Sequence, residues 1–449
     1  MMSFPSNRLF SVRYIIYVTS LSLLLVINAN LIMRIMSRVT GVSVPPFFPI
    51  SVFAFRIPSL GQILGALGLL AFFFGALKYL CKTDFRLSSV IIVGICLIVA
   101  SNLLQGWRGG VLDPIDIGGV KGYEYYHQAL EIKSASQFLA SFERVQSDLM
   151  CHSRVHPPYA TLLFYAFVRM GLSPALISMG MAVCATGFSL FFLQRILERN
   201  FQRSFASYIS FLYVLIPAVQ IYYLFSIEAL VATFFLGAAY FLTHPKGFLS
   251  CVGISIFLLL SSLLTFLFIF FIPLFGILQF VNKRAIKRLT ISVLLVGMVH
   301  LFLYFSTHFN YAYSFLTTCA IESHHAELYS KEFILYIFTR LESIAEILLF
   351  AGPFILVLCV RGITRLKDNK KVSRGFFIAG IVSFIIMMIA GVCGNGESAR
   401  ILIFMYAFLL LPVAVYLDKR KASGEEKMQV ASLLFSQSVL MQLCGRYNW

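Results

Sequence analysis

The sequence predicts an all-α, polytopic membrane protein with about twelve transmembrane helices. Of its 449 residues, 59% are hydrophobic and only 12% are charged, whereas a soluble protein carries about 25% charged residues. The hydrophobic residues form blocks that approach the about 20 residues a helix needs to cross a bilayer. These blocks do not alternate like the strands of an outer-membrane barrel, so helices are predicted throughout.

The apolar blocks define the predicted spans in order. The first block, 14–33, follows Arg8 and Arg13 and is too long for a signal-peptide core, so we predict that it is retained. Residues 1–87 are predicted to hold this helix and a second one. The later blocks lie at 59–80, 88–106, 157–172, 173–194, 204–224, 226–243, 248–281, 289–306, 340–360, 375–394 and 400–417.

Basic linkers predict the orientation of the spans. The segments 282–288, 361–374 and 418–421 are rich in Lys and Arg, and the positive-inside rule makes them cytoplasmic. The two longest polar segments, 107–156 and 307–339, then share the outer face. Basic residues that flank spans and meet anionic lipid account for the net charge of +17, so no nucleic-acid partner is predicted.

One linker conflicts with this orientation. Residues 195–204 carry net positive charge, but counting the predicted spans along the chain places them on the outer side. The conflict disappears if 157–172 is re-entrant and 248–281, about 51 Å of helix against a core of about 30 Å, is two spans. That arrangement also moves Glu228 to the outer face, and the sequence leaves both arrangements open.

The C-terminal residues 418–449 are predicted as a cytoplasmic tail. Within it, 428–449 is apolar at helical spacing with Gln and Ser interspersed. Such a helix either lies along the membrane interface or packs as an ordinary additional helix.

The first outer segment, 107–156, contains candidate acidic groups. Residues 123–149 have the spacing of amphipathic helix, which at a membrane face forms a floor or a lid. Asp116 and Glu124 lie near the outer ends of spans, where each is a candidate functional carboxylate or a solvated loop charge.

This segment ends in a basic cluster beside two prolines. His152, Arg154 and His156 lie at the membrane surface, where cationic and hydrogen-bonding groups can hold a lipid phosphate. Pro157 and Pro158 suit the first turn of a helix, which needs no amide hydrogen. The alternative is that the cluster only anchors the span.

Further charged residues enter the apolar run near the C-terminus. Arg340, Glu342 and Glu346 lie where charge is costly and usually faces a partner or a cavity. Glu397 and Arg400 are three residues apart at the outer end of the last span, so one helical turn can direct both to one cavity. Structural ion pairs are the alternative in both places.

The nine cysteines form no CxxC pair, so neither a zinc site nor a disulfide framework is predicted. Cys151 and Cys319 lie in polar segments and are candidates for a pair. Glu322, His324 and His325 lack a fixed metal-ligand spacing. No cofactor is identified, and a divalent cation, Mg²⁺ or Mn²⁺, stays open.

Three stretches carry a resemblance to a known superfamily. The chain reads YEYYHQAL at 123–130, HPPYATLLFYAF at 156–167 and GESARILIFMYAFLLLP at 396–412. Together they resemble the GT-C superfamily of integral-membrane glycosyltransferases, which includes protein O-mannosyltransferases and aminoarabinose transferases. The resemblance implies a seven-helix module at 88–306, followed at 307–417 by a second outer segment and the C-terminal spans. Two spans precede the module, which departs from the family.

The resemblance implies a glycosyltransferase, hexosyl or pentosyl, that moves a sugar from a polyprenyl-phosphate carrier to a hydroxyl group, usually with inversion. The acceptor is a glycan, lipid or protein. Glu124 or Asp116 would take the acceptor's proton. Arg400, His156 or Arg154 would offset charge on the departing phosphate. The further substrate-binding candidates are Tyr125, Tyr126, Glu397, Arg340 and Glu342.

Two other classes of protein compete with this one. A lipid-linked-sugar flippase or other transporter also needs many spans, but internal repeats are common there and none is visible here. An O-antigen polymerase or ligase does not usually close its first loop with HPP. The chain holds no Asn-X-Ser/Thr sequon, which favours a bacterial inner membrane with the active side periplasmic or extracellular.

Overall fold

The computed structural model describes residues 9–10, 12–41, 53–115, 125–243, 247–281, 286–322, 333–366, 371–392 and 397–447. Most of them lie in α-helices, which confirms the all-α class. The helices, α1 to α21 in chain order, are Val12–Thr40, Leu60–Lys82, Leu87–Leu103, Tyr125–Glu131, Ala135–Val145, Cys151–Val155, Pro158–Arg169, Pro174–Leu197, Arg203–Leu215, Pro217–Tyr222, Ile227–Thr243, Phe248–Leu264, Phe268–Val281, Lys287–Thr307, Tyr311–Ile321, Phe333–Ala351, Pro353–Ile363, Lys371–Ile389, Ser398–Ile401, Tyr406–Arg420 and Gly424–Cys444.

Two short strands depart from the prediction of helices throughout. The strands β1, Phe53–Phe55, and β2, Gly445–Tyr447, pair antiparallel. The backbone amide of Arg56 also donates to the carbonyl of Cys444 at 2.9 Å. The ribbon therefore ties the chain end to the start of α2.

Three helices in the described ranges are long and apolar enough to cross a membrane, namely α2, α8 and α14. A fourth crossing results if α16 and α17, which meet at 99°, form one broken span. Other apolar helices have 10–17 residues. The chain thus has several helices that could cross a membrane, while the count of about twelve spans stays a prediction.

Local sequence explains where several helices begin. Helix α7 begins at Pro158, which confirms that the double proline starts a helix. Ser59 and Gln62 form a capping box at the start of α2, and Ser423 and Glu426 form another at the start of α21. Each box satisfies amide groups that the first turn of a helix leaves unbonded.

Two features of the helices match the arrangement in which 157–172 is re-entrant and 248–281 is two spans. Helix α7 has 12 residues, about 18 Å of helix, too short for a core of about 30 Å. The block 248–281 is two helices, α12 and α13, because Thr265 is extended at φ −151° and ψ 144°.

Described residues of the two long polar segments, 107–156 and 307–339, are in contact with each other. The predicted amphipathic helix at 123–149 is two helices, α4 and α5, and the apolar side of α5 is buried. Phe142 of α5 meets Phe309 at 5.7 Å between ring centroids. The Glu143 carboxylate accepts the backbone N–H of Asn310 at 2.5 Å, so α5 is fixed to the start of α15.

The C-terminal helix α21 is a packing helix, one of the two alternatives for the tail. Its apolar side is buried, and Phe435 stacks on Phe73 of α2 at 4.4 Å. At its end, Gln442 donates to the side-chain oxygen of Asn102 at 3.1 Å. The Arg56 side chain donates to the carbonyl of Leu104 at 2.7 Å and to that of Gln442 at 3.3 Å.

Candidate functional site

Three separate parts of the chain surround one recess. It has about 260 Å³ of free space, including its open mouth. Residues of the segment 107–156, which includes helix α6, residues at the start of α11 and a residue of helix α19 supply its walls. The lining residues are Pro114, Tyr125, His152, Phe225, Ser226, Ile227, Glu228 and Arg400.

A charged trio lies beside this recess. The Nε of Arg400 is 3.5 Å from Oε1 of Glu228, and its Nη2 donates to Oε2 of Glu397 at 2.9 Å. The exposed fractions of the side chains are 9% for Arg400, 13% for Glu228 and 38% for Glu397. Arg400 and Glu228 are therefore a nearly buried pair, while Glu397 faces solvent.

Helix α16 fixes the backbone that carries Arg400. Glu346 is fully buried in α16, and its Oε1 accepts the backbone N–H of Ala399 at 2.9 Å. A buried carboxylate that accepts an amide holds the short helix α19 more firmly than its four residues would alone.

Tyr125 links the two histidines to the helix core. Its ring centroid lies 5.7 Å from that of His152 and 5.5 Å from that of His156. The ring also stacks on Phe164 of α7 at 5.5 Å. The Tyr125 ring thus forms a buried aromatic surface next to the charged trio.

His156 is held in one tautomer. Its Nδ1 lies 2.8 Å from the carbonyl oxygen of Leu264. Because a carbonyl only accepts, we assign the proton to Nδ1 and leave Nε2 as the acceptor in the neutral ring. Leu264 is the last residue of α12, so His156 joins the first outer segment to the break between α12 and α13.

Burial lowers the pKa of His156 below its ordinary value of 6.5. The negative charge of Glu228 and the Leu264 carbonyl oppose this effect in part, while His152 and Arg400 add to it. His156 is therefore predominantly neutral near pH 7.

We expect His156 to make the folded state less stable at low pH. The unfolded chain takes up a proton near 6.5, and the folded chain resists it, so stability is full above that pH and falls as the pH drops toward the folded pKa. Unfolding measured at about pH 7.5 and about pH 5.5 should show a smaller difference for His156→Gln than for the wild type. An equal difference in both proteins would contradict this.

Arg154 lies in α6, the helix that also carries His152. Its backbone carbonyl accepts from the Gln146 amide at 2.9 Å, and the same amide donates to the Ser314 carbonyl at 3.1 Å. Among the described residues, the buried Nε of Arg154 has no hydrogen-bond partner. A buried guanidinium N–H of this kind suits an anionic ligand.

The Cys151 thiol shows that these charges lie close together. Burial raises its pKa, and the charges of Arg154, Glu397, Glu322 and Arg400 also act on it. Helix α6 therefore lies among charged groups from both outer segments and from α19.

The structure brings together five of the predicted site residues: Tyr125, Arg154, His156, Glu397 and Arg400. The catalytic candidates Asp116 and Glu124 lie outside the described residues. Tyr126 is partly buried in the core, with its ring centroid 6.0 Å from that of His127.

The other two predicted residues lie in α16. Arg340 has its guanidinium over the Tyr336 ring at 5.1 Å, and its Nε donates to the Thr339 hydroxyl at 3.1 Å. Glu342 is fully buried. The ion-pair alternative stated for this run and a substrate role for either residue both stay predictions.

Glu228 is the site residue that the predicted assignments left out. The sequence carried one signal for it, because the re-entrant arrangement moves Glu228 to the outer face. Its pairing with Arg400 had no local signature.

Two chemical predictions can be compared with the described residues. Cys151 and Cys319 are both free thiols, so the candidate pair is not formed. In the described ranges, no three His, Cys, Asp or Glu residues are grouped as metal ligands. A Mg²⁺ or Mn²⁺ requirement stays a prediction.

The fold and the recess define an all-α protein, with helices that could cross a membrane and a polar site among them. Comparison with models of known protein families finds no match, and comparison with curated proteins finds no similar sequence.

Proposed function

We propose that this protein is a glycosyltransferase that moves a sugar from a polyprenyl-phosphate carrier to a hydroxyl acceptor, with inversion. The observation that carries the proposal is that Arg400 and His152 line one recess, while His156 lies against Tyr125 of its wall and Arg154 lies in the same helix as His152. Breaking the bond between the sugar and the phosphate leaves negative charge on the phosphate. Preorganised cationic donors in a largely buried site stabilise such charge.

Each candidate residue has its own role in the proposed reaction. Arg400 and Arg154 hold the phosphate and offset the negative charge that it gains as the bond to the sugar breaks. Tyr125, which lines the recess, helps to shape the space for the sugar. Asp116 or Glu124 takes the proton of the acceptor hydroxyl, so the acceptor oxygen can attack the sugar.

An apolar crevice between α13 and α14 supports a lipid-linked donor. It consists of two adjoining, partly open cavities with about 380 and 660 Å³ of free space including their open mouths, and both are lined by Ile272 and Val293. Phe268, at the start of α13, lines the first cavity, four residues beyond the Leu264 carbonyl that accepts from His156. In the proposed complex, the hydrocarbon chain of the donor lies in this crevice.

The proposal places the recess at the outer face of a bacterial inner membrane. The acceptor is a hydroxyl of a glycan, a lipid or a protein. A flippase or transporter would leave its donor intact, whereas a polymerase or ligase that uses diphosphate-linked glycans would release a lipid diphosphate. The chemical form of the released lipid separates these alternatives.

The test is an incubation of the purified protein, in lipid nanodiscs with acceptor membranes, with a panel of polyprenyl-phosphate sugars. We expect release of free polyprenyl phosphate from at least one donor. Donors with long isoprenoid chains should have a lower KM than short-chain analogues, because only they fill the crevice. No release from any donor in acceptor-containing membranes would contradict the proposal.

A further inference from the structure

We propose that Arg400 is an anion-exchange site whose resting occupant is the Glu228 carboxylate, which an incoming phosphate displaces. This inference deepens the proposed function, on which it rests for the identity of the ligand as a lipid phosphate. Glu228 is then a positioning residue, because it sets how strongly Arg400 holds the anion.

The contacts of Arg400 with its two carboxylates are unequal. The Glu397 contact is a hydrogen bond of 2.9 Å within one helical turn. The Glu228 contact, at 3.5 Å, is longer and joins two distant helices. Glu228 and Arg400 both line the recess, so a ligand that enters the recess meets this pair directly.

Glu228 keeps favourable surroundings when Arg400 turns to a ligand. It lies in the first turn of α11, where unbonded amide groups and the helix dipole favour a negative charge. The start of this helix is fixed by Ser226, whose hydroxyl accepts the backbone N–H of Ala229 at 3.0 Å. Displacement therefore does not leave the carboxylate without stabilisation.

The charges of this trio favour the exchange. Two carboxylates on one guanidinium weaken the attraction of Arg400 for a phosphate. A phosphate binds well only when one carboxylate gives up its contact with Arg400. Glu228 is the carboxylate that lines the recess, and its contact with Arg400 is weaker than that of Glu397.

The test compares Glu228→Gln with Glu397→Gln. Both variants remove one carboxylate from Arg400 and keep the size of the side chain. Glu228→Gln should bind sugar-free polyprenyl phosphate about tenfold more tightly, because Arg400 loses its resting anion. Glu397→Gln should change binding only about twofold, since water screens the more exposed Glu397.

Binding is measured by titration of the full chain in nanodiscs with sugar-free polyprenyl phosphate and, separately, with inorganic phosphate. Tighter binding of both probes to Glu228→Gln supports the exchange site, and tighter binding of the lipid alone supports it with a requirement for the chain. In the transfer assay, KM and kcat should both fall, because the product phosphate leaves more slowly.

Unchanged or weaker binding by folded Glu228→Gln would overturn the inference. If this variant does not fold, Glu228→Asp replaces it, because the shorter side chain keeps the charge but withdraws it from Arg400. We expect Glu228→Asp to bind more tightly than the wild type, and equal binding would overturn the inference. A wild type that transfers no sugar while the variant binds more tightly would refute only the proposed function.

Discussion

Arg400→Ala is expected to reduce sugar transfer by about 100-fold or more, the loss typical when a donor to developing negative charge is removed. Arg400 lines the recess and contacts two carboxylates. Its removal takes away the main cation for the phosphate and leaves Glu228 and Glu397 near each other without it. The measurement is kcat/KM for the donor that the panel identifies.

The same variant should be less stable. Breaking a nearly buried ion pair leaves one charge uncompensated, which costs about 3 kcal/mol or more. Arg400→Lys keeps the charge but not the two-sided contact, so it should recover most of the stability and only part of the activity. Unfolding measured for both variants separates the loss of the anion site from the loss of the fold.

Arg420→Ala is the matched control for Arg400→Ala. Arg420 pairs with Glu426 at 2.7 Å near the end of α20, and both side chains are partly exposed. Its removal should leave transfer unchanged, because this pair is not part of the recess. Full turnover by folded Arg400→Ala would refute the role of Arg400.

Residues that are close in the sequence were predictable as site residues. His156 and Arg154 stood beside a double proline at the end of an apolar block, and Glu397 and Arg400 were one helical turn apart. Each prediction used only neighbouring residues. Charged side chains next to a long apolar run are costly, so they usually face a partner or a cavity. The structure adds that Arg400 lines one recess with Tyr125, against whose ring His156 lies.

Other features depend on contacts between distant parts of the chain. Glu228 stands alone in an apolar run, and its partner Arg400 lies on another helix. For Glu346 the sequence left open a binding role and a structural ion pair, and its contact with the backbone N–H of Ala399 depends on the packing of α19 against α16.

Apolar length predicted helices better than it predicted where they break. The block 340–360 was predicted as one span, but it bends by 99° at Gly352, which has a φ of 89°. The Gly-Pro pair at 352–353 is a turn signal that the hydropathy of the block masked. The break at Thr265 has no such signal, because apolar residues continue on both sides.

Gly362→Ala is expected to lower the free energy of unfolding by about 3 kcal/mol, the upper part of the usual range for overpacking. Gly362 lies in α17, where a Cβ would be 2.0 Å from the carbonyl oxygen of Pro412 in α20. Small residues let helices approach this closely in membranes. The obstacle is backbone, which cannot move aside as the end of a side chain can.

We expect the Gly362→Ala clash to affect the candidate functional site as well. Helix α20 follows α19 after a short 3₁₀ turn, Ile403–Met405, so a shift of α20 away from α17 also moves Arg400. We therefore expect Gly362→Ala to reduce transfer as well as stability. Thermal unfolding in nanodiscs and the transfer assay measure the two effects.

Gly180→Ala provides the matched control, because Gly180 lies inside α8 and a Cβ there would have nothing within 4 Å. Alanine favours a helix over glycine by about 1 kcal/mol, so this variant should be as stable as the wild type or more stable. The same preference acts at Gly362, and only the clash with Pro412 can reverse it. Equal unfolding temperatures for the two variants would therefore show that α17 and α20 do not pack this closely.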